Sequence, residues 1–304
     1  MSRKIFISYC HRQGDWVWHR LVPCLKAGGA EVLIDVERFK AGVSVYTQMN
    51  AEQDQSDASL LVLTPEYLTR ADCLHEMRRA VARDPNFDNG STIPIILEKC
   101  ELPDEIKASK PLWVNLIDDR NVEWWDKLMR ACEADLGADV PHWLEVRDET
   151  LLLLERGQSV NLIVKENPRW RELITHMGDN HPQGLRIVDL DSGATNSRRA
   201  LVEELLKAAG ANQSVPPKPE DLVILHRALV NRPSASQIAL LHGHRLSRSD
   251  YESDLLSALR NLIMDERKLV LLIHSRRSFA ELVASDPDLS AIDLKTVELN
   301  GRKR

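Results

Sequence analysis

Short apolar runs alternate with helical patterns in both halves of this 304-residue chain, and this alternation restricts the fold more than any other feature. The alternation is typical of a parallel β-sheet that is covered by helices on both faces. In the first half we predict strands at 4–9, 31–35, 58–64, 92–97 and 112–116 and helices at 16–27, 73–81 and 122–136. In the second half we predict strands at 159–164, 185–190, 236–241, 269–273 and 294–299 and helices at 148–156, 169–177, 198–209 and 250–264. The fold class that follows is α/β in both halves.

A break between the two halves is predicted by Gly137 and Pro141, which interrupt helices. We therefore expect a first domain at 1–138, a linker at 139–147 and a second α/β domain at 148–304. A proline-rich stretch at 211–221 is expected to be a loop within the second domain.

Composition excludes several classes of protein. A hydrophobic content of 43% and a charged content of 28% are typical of a soluble globular protein. No apolar run reaches the roughly 18 residues that span a bilayer, and the start of the chain has no secretory apolar segment. The net charge of −6 argues against a general nucleic-acid binder. Five cysteines without paired spacing fit reduced thiols, so we expect a cytoplasmic protein. From the short apolar runs and the negative net charge, we expect neither a membrane nor a nucleic acid as partner.

A binding cleft is predicted where the strands of the first domain end, because ligands of parallel sheets bind beyond the carboxyl ends of the strands. Three loops meet there, at 10–15, 36–44 and 65–72. The third loop leads into the helix that carries Glu76, and a glutamate one turn into this helix can project into the cleft.

Four segments of the first domain resemble a TIR (Toll/interleukin-1 receptor) domain of the bacterial type. They are Lys4-Ile5-Phe6-Ile7-Ser8-Tyr9, the second strand ending in Asp35, Leu60-Leu61-Val62-Leu63-Thr64 and Cys73-Leu74-His75-Glu76. The resemblance implies a flavodoxin-like parallel sheet. It also implies cleavage of NAD+, since many such domains are enzymes in which the glutamate of the C-x-x-E segment is catalytic. That residue is Glu76 here, and NAD+ is then the substrate, with no further cofactor and no metal ion.

The resemblance also implies the substrate-binding residues. In the family, the loop after the second strand changes conformation on assembly and opens the nucleotide site, and Arg38 and Lys40 of this loop suit the pyrophosphate. The residues that we predict to bind substrate are Ser8, Tyr9, Asp35, Arg38, Lys40 and Cys73.

Asp72 departs from the family pattern, which often has tryptophan just before the cysteine. The change removes a stacking surface and places a negative charge near Glu76. Three other aromatic residues could substitute for the missing ring, namely Trp16, Trp18 and Tyr67. Asp72 could equally be the N-cap of the helix.

The second domain resembles, more weakly, a P-loop NTPase core of the STAND type. The resemblance rests on a helix at 148–156, the approach Gly157-Gln158-Ser159 and the strand that follows it. However, at 164–171, directly after that strand, the glycines that define a P-loop are absent, and no lysine followed by Ser or Thr stands at the P-loop position. A Walker B aspartate would end a later strand, but His242-Gly243-His244 stands at that place. We therefore expect no ATP hydrolysis but a regulatory or oligomerising domain. A metal site at His242, His244 and His274 has weak support from spacing alone.

The expected function is that of a TIR NAD+ glycohydrolase that yields nicotinamide with ADP-ribose or a cyclic isomer. The resemblance implies activation by self-association through TIR domains, a role in anti-phage defence, and a separate sensor, activator or ligand that acts through residues 148–304. A first alternative is a non-catalytic TIR–TIR signalling or scaffold module. A second is a nucleoside deoxyribosyltransferase, which shares the flavodoxin-like layout and also uses a glutamate.

Overall fold

Each half of the chain forms its own five-stranded parallel sheet with helices. The computed structural model describes residues 2–33, 42–109, 111–167, 169–181, 184–211, 213–247, 251–282 and 292–302. The contacts divide the chain into two units, Met1–Leu144 and Glu145–Arg304. The predicted α/β fold class is confirmed for both.

The sheet of the first unit has the strand order β2-β1-β3-β4-β5, in which every neighbouring pair is parallel. This is the flavodoxin-like order that the sequence led us to expect. The strands are β1 (Lys4–Ser8), β2 (Glu31–Leu33), β3 (Ala58–Leu63), β4 (Thr92–Ile96) and β5 (Val114–Asn115).

The helices of the first unit follow the strands in alternation. The first helical segment is continuous but includes a π-helical turn at Val17–Leu21 between α1 (Gly14–Trp16) and α2 (Val22–Ala27). The remaining helices are α3 (Val45–Gln55), α4 (Ala71–Arg83), α5 (Asp104–Ser109) and α6 (Val122–Ala131).

The core of the first unit is centred on β3, in which all six residues are buried. A strand buried on both faces reads as a continuous apolar run, as this one does. The amphipathic α4 packs Cys73, Met77 and Ala80 into the same cluster as Leu61 and Leu63. This packing places the first turns of α4 beside the carboxyl end of the sheet.

The end of α2 is clasped by the chain that follows α6. The carbonyl of Gly28 accepts a hydrogen bond from the backbone N–H of Asp135 at 3.0 Å. A Cβ atom on Gly28 would lie 2.8 Å from the Cβ of Ala134, so only glycine allows this approach. The Arg3 side chain adds a second tie, because it donates to the carbonyl of Ala131. The residues directly after α6 therefore belong to the folded body of the first unit.

The sheet of the second unit has the strand order β10-β6-β9-β8-β7. The strands are β6 (Val160–Val164), β7 (Arg186–Asp189), β8 (Ser236–Leu241), β9 (Leu269–Ser275) and β10 (Lys295–Leu299). Helix α7 (Val140–Glu155) spans the division between the units, and the helices that follow it are α8 (Trp170–Asn180), α9 (Arg198–Ala208), α10 (Glu220–Val230), α11 (Ser253–Met264) and α12 (Phe279–Leu282). Leucine-rich faces of α9, α10 and α11 pack into one core cluster with β8 and β9. The relation of this unit to NTPase cores stays a prediction.

The predicted helix break at Pro141 is wrong, because α7 runs without interruption from Val140 to Glu155 and includes most of the predicted linker at 139–147. Proline is tolerated there because the first turn of a helix has no intrahelical partners for its N–H groups. The helix ends at Glu155, and Gly157 follows two residues later with a φ of +72°, which suits glycine. The N–H of Gly157 donates to the carbonyl of Leu154 and that of Gln158 to Leu153, the two bonds of a Schellman motif.

Among the described residues, four helices, α3, α5, α10 and α12, are absent from the sequence-based prediction. The second strand was predicted to reach Asp35, but residues 34–41 lie outside the described part of the chain. None of the helices in the described residues is long and apolar enough to span a membrane.

Replacement of Gly28 by alanine tests the clasp. Its φ of −75° is open to any residue, so the whole effect comes from contact with Ala134 and Asp135. We expect Gly28→Ala to lower the free energy of unfolding by roughly 1–3 kcal/mol, measured by urea unfolding with circular dichroism.

Gly14→Ala is the matched control in the same unit, because a Cβ there meets its nearest neighbours at 3.8 and 3.9 Å, which is ordinary contact. Equal stability of the two variants would contradict a close approach at Gly28.

Candidate functional site

The carboxyl ends of β1 and β3 form the topological switch point of the first sheet. These strands are neighbours, yet β1 leads to β2 on one side and β3 leads to β4 on the other. Connections that leave in opposite directions open a crevice at this edge of a parallel sheet. Ser8 is the last residue of β1, and α4 with Glu76 follows β3 after a short loop.

Glu76 is a buried carboxylic acid with only 5% of its surface exposed. Its Oε2 atom accepts a hydrogen bond from Ser8 Oγ at 2.5 Å, and Ser8 Oγ lies 2.7 Å from the Tyr67 hydroxyl. A serine hydroxyl has one proton, which is donated to Glu76, so the Tyr67 hydroxyl donates to Ser8. Three residues from β1, the loop after β3 and α4 thus form one directed chain of hydrogen bonds.

Burial keeps the first member of this chain protonated. Tyr67 is fully buried, and burial raises its pKa well above the usual range, with the nearby Glu76 carboxylate acting in the same direction. The tyrosine therefore stays a donor over the pH range in which proteins are handled. As a result, Ser8 is held with its proton toward Glu76.

The backbone around Glu76 is fixed by α3, the helix that the sequence did not reveal. Gln53 of α3 donates from Nε2 to the backbone carbonyl of Glu76 at 2.9 Å. The Oε1 atom of the same Gln53 accepts from Arg79 Nε at 3.2 Å. Gln53 is itself buried, so this contact sets the position of α4 relative to α3.

A cavity of about 360 Å³ opens beside Glu76. Its volume is at the lower end of the range for small-molecule sites. The lining residues come from β1, the loop that follows it, α3 and the start of α4: Ile7, Tyr9, Cys10, His11, Met49, Arg70, Ala71, Asp72, Cys73 and Glu76.

The predicted site residues divide into two groups. The structure brings Ser8, Tyr9, Cys73 and Glu76 together, the last three on the cavity wall and Ser8 bonded to Glu76. The other three, Asp35, Arg38 and Lys40, lie outside the described residues.

The sequence did not single out Met49, His11 or Arg70 as lining residues. Met49 lies on the polar helix α3, which carries no clear apolar stripe. His11 and Arg70 stand in loops next to the strand ends, and this position is the one signal that could have identified them.

Cys73 is not suited to act as a nucleophile. Burial, followed by the negative charge of Glu76, raises the pKa of the Cys73 thiol to about 12. The Cys73 Sγ lies 3.8 Å from the carbonyl oxygen of Tyr9, in the direction of a weak hydrogen bond. The thiol is therefore a neutral packing group on the cavity wall.

Asp72 lines the cavity but does not cap α4. The N-cap position is Arg70, and Asp72 is the second residue of the first turn, where the partial positive charge of the helix terminus favours a carboxylate. The alternative reading of Asp72 as the N-cap is therefore wrong. A second carboxyl group stands at the cavity with Glu76.

None of the three aromatic residues considered as substitutes for the missing tryptophan lines the cavity. Tyr67 is bonded to Ser8, Trp16 stacks on Trp125 at 5.9 Å between ring centroids, and Trp18 donates to the Tyr9 hydroxyl at 3.1 Å. The rings on the wall are instead those of Tyr9 and His11.

Comparison with known proteins gives one family match. Residues 5–129 match the model of a family described as TIR domain. No curated protein sequence matches the chain.

The solved structures that resemble the chain include the following three, each of which resembles it weakly. The TIR domain of the Toll-related receptor TRR-2 from Hydra magnipapillata is 19% identical, with 42% of this chain and 96% of that chain covered and a TM-score of 0.38. NtrX from Brucella abortus, in complex with ATP, is 10% identical, with 99% and 69% covered and a TM-score of 0.35. A hypothetical protein from Thermus thermophilus is 12% identical, with 99% and 72% covered and a TM-score of 0.31. Similarities of this size say nothing about what the chain binds.

Removal of the hydroxyls tests the hydrogen-bond chain to Glu76. We expect Tyr67→Phe to cost about 1 kcal/mol of unfolding free energy and Ser8→Ala about 2 kcal/mol or more. The serine variant costs more because it leaves both the buried Tyr67 hydroxyl and the Glu76 carboxyl without this partner.

Both variants can be compared by urea unfolding with Ser109→Ala, in which the same unit loses an exposed hydrogen bond from Ser109 Oγ to the carbonyl of Pro85. A Ser8→Ala variant that is as stable as the Ser109→Ala protein would contradict the directed chain.

The thiol of Cys73 should react slowly and with a steep pH dependence. With a pKa of about 12, only about one thiol in ten thousand is ionised at pH 8, and this fraction rises about tenfold per pH unit. Alkylation by iodoacetamide, followed by peptide mass spectrometry between pH 7.5 and 9.5, should show this slope. A rate that levels off near pH 9, as it does for a free thiol such as glutathione, would contradict the raised pKa.

Proposed function

We propose that the first unit, whose residues 5–129 match the TIR domain family, is an NAD+ glycohydrolase that cleaves the bond between nicotinamide and ribose. The observation that carries the proposal is the Glu76 carboxyl group, which is held by Ser8 and faces a cavity at the switch point of the sheet. NAD+ is the substrate in this proposal.

The proposed reaction needs one well-placed carboxylate. The C1′–N bond breaks, its electron pair moves to the pyridinium nitrogen, and nicotinamide leaves as a neutral molecule. The ribose becomes oxocarbenium-like, and a carboxylate stabilises that positive charge. The oxygen of water then bonds to C1′ and releases a proton, which gives ADP-ribose. Capture of C1′ by an adenine nitrogen gives a cyclic isomer instead.

The surrounding residues suit this role for Glu76. Ser8 and Gln53 fix its carboxylate and its backbone, so little reorganisation is needed as charge develops. The rings of Tyr9 and His11 line the cavity at an angle of 80° to each other, so one of them can offer its face to the nicotinamide ring, and the Arg70 guanidinium is a cation at the cavity. A cavity of about 360 Å³ suits the nicotinamide and its ribose rather than a whole dinucleotide. The pyrophosphate is assigned to Arg38 and Lys40 by family resemblance alone.

Loss of nicotinamide release in Glu76 variants tests the proposal. We expect Glu76→Gln and Glu76→Ala to lower kcat/KM by about 100-fold or more, because they remove the charge that stabilises the transition state. Glu105→Gln is the matched control, since this glutamate is exposed and lies on α5 of the same unit.

The assay is chromatography of NAD+, nicotinamide and ADP-ribose, with the full chain both free and clustered on a surface through an N-terminal tag. If Glu76→Gln cleaves NAD+ at the same rate as the wild type, the proposed role of Glu76 is overturned. An inactive wild-type protein, even when clustered, would overturn the enzyme itself.

We further propose that self-association through the TIR unit activates the enzyme, since TIR domains generally self-associate. The rate per protomer should then rise with protein concentration, whereas a monomeric enzyme has a constant rate per protomer. Depletion of NAD+ would stop growth of the producing cell, which fits a bacterial anti-phage effector whose activator or sensor acts through the second unit.

A non-catalytic TIR–TIR scaffold is the second candidate, and Asp72 favours it. This residue adds a carboxyl group to the cavity, where the family often has a stacking ring. In cells that express the chain, the scaffold function requires every effect to persist in Glu76→Ala. The enzyme function requires the effects to disappear.

A further inference from the structure

A second cleft lies in the second unit, at the carboxyl ends of its strands. Its volume is about 520 Å³, within the range of small-molecule sites. Here β6 and β9 are neighbours, but β6 leads toward β7 and β9 leads toward β10, so this edge is also a topological switch point. The lining residues are Trp170, Asp191, His242, His244, His274, Ser275, Arg276, Arg277 and Leu282.

His274 of β9 is a buried group with an unused donor. Only 3% of its surface is exposed, and its Nδ1 atom accepts from the backbone N–H of His242 at 3.4 Å. Burial, with help from neighbouring cationic groups, lowers the pKa of His274 to about 3, so the ring is neutral and its proton is on Nε2. Within the described part of the chain, this Nε2 has no hydrogen-bond partner. A buried donor without an acceptor is costly, and a ligand oxygen in the cleft would satisfy it.

The packing around His274 holds the ring in this orientation. Trp170 of α8 stacks on it at 3.7 Å between ring centroids and at an angle of 10°. The backbone of Gly243 lies close against β9, since a Cβ there would be 2.3 Å from Cγ2 of Ile273. The ring of His242 is fixed separately, because Arg171 Nη2 donates to its Nε2 at 3.1 Å.

The cleft has an excess of positive charge. Asp189 is paired with Arg171 at 2.9 Å and Asp191 with Arg245 at 2.5 Å, so these charges are balanced. Arg276 and Arg277 follow β9 and line the cleft with exposed side chains. Neither guanidinium has an ion-pair partner among residues that the structure describes. These groups would attract an anion.

The imidazoles are not arranged as metal ligands. In the described ranges, no three His, Cys, Asp or Glu side chains are placed to hold a metal ion. The Nδ1 of His274 already accepts a hydrogen bond, and its other nitrogen carries the proton. The cleft therefore offers hydrogen-bond donors, which suit an oxyanion.

We propose that this cleft binds a phosphorylated small molecule, with a phosphate oxygen accepting from His274 Nε2–H and the phosphate charge paired with Arg276 and Arg277. The organic part of the ligand lies along Leu282 and the edge of Trp170, since His274 and Arg171 pack against the faces of that ring. A bare phosphate would leave most of the volume unfilled, so a nucleoside monophosphate is the fitting class. This mode of binding differs from a P-loop, since residues 164–171 contain no glycine.

Isothermal titration of the full chain with AMP, adenosine and inorganic phosphate tests the proposal. We expect one site for AMP, an affinity for phosphate that is about tenfold lower or weaker still, and no binding of adenosine, because the charged contacts dominate. The variant Arg276→Ala/Arg277→Ala should bind AMP about tenfold or more weakly.

The matched control is Arg199→Ala/Arg227→Ala, which removes two exposed arginines of the same unit outside the cleft. It should bind AMP within about twofold of wild type, because remote charges are screened. The His274→Phe variant keeps a ring against Trp170 but loses the donor, and it should also bind weakly provided its circular dichroism is unchanged.

Absence of AMP binding, or AMP binding that is equal in wild type and in the Arg276/Arg277 variant, would overturn the site. Equal affinities for AMP and phosphate would overturn the contact with Trp170 and Leu282. Because both variants lie in the second unit, the result does not depend on whether the first unit cleaves NAD+.

Discussion

The carboxyl group of Glu76 can be buried only if a donor is buried with it. An isolated carboxylate in an apolar interior is very costly, so proteins pair such groups or protonate them. Ser8 is the donor here, and Tyr67 in turn donates to Ser8. The three residues come from β1, the loop after β3 and α4, so one chain of hydrogen bonds fixes the positions of these three elements relative to one another. The shape of the cavity beside them depends on this contact.

Both units have a cleft at a switch point of their sheet, but the two clefts differ in the charge that they suit. In both, neighbouring parallel strands send their connections in opposite directions, and a cleft forms at that edge. The cleft of the first unit has two carboxyl groups, Glu76 and Asp72, which suit a positive charge that develops during a reaction. The cleft of the second unit has a neutral buried imidazole donor and two arginines, which suit a negative charge that is already present. The topology of the sheet sets the location of a cleft, while the residues that line it set the sign of the charge that the cleft suits.

The elements that were predicted well from the sequence are those in which burial along the whole element requires consecutive, mainly apolar residues. The runs of β3, β4 and β8 are buried along their whole length and were placed to within about one residue at each end. Helix α3 was missed because its residues Val45–Gln55 are mostly polar and carry no apolar stripe. The sequence predicts a helix break at Pro141, although a proline in the first turn of a helix removes no intrahelical hydrogen bond. The pattern of the motif located Glu76, but the contact with Ser8, 68 residues earlier in the chain, depends on tertiary packing that local patterns do not encode.

The clasp between Gly28 and the chain after α6 has a bearing on where the first unit can be cut. The family match ends at residue 129, yet Gly28 and Arg3 bond to backbone groups at 135 and 131. A fragment that stops at 129 would leave the Gly28 carbonyl and the Arg3 guanidinium without these partners, and it would uncover the end of α2. Sequence similarity thus marks the shared part of the unit, and the physical boundary lies several residues further along the chain. An isolated first unit should be produced with residues 130–138 retained.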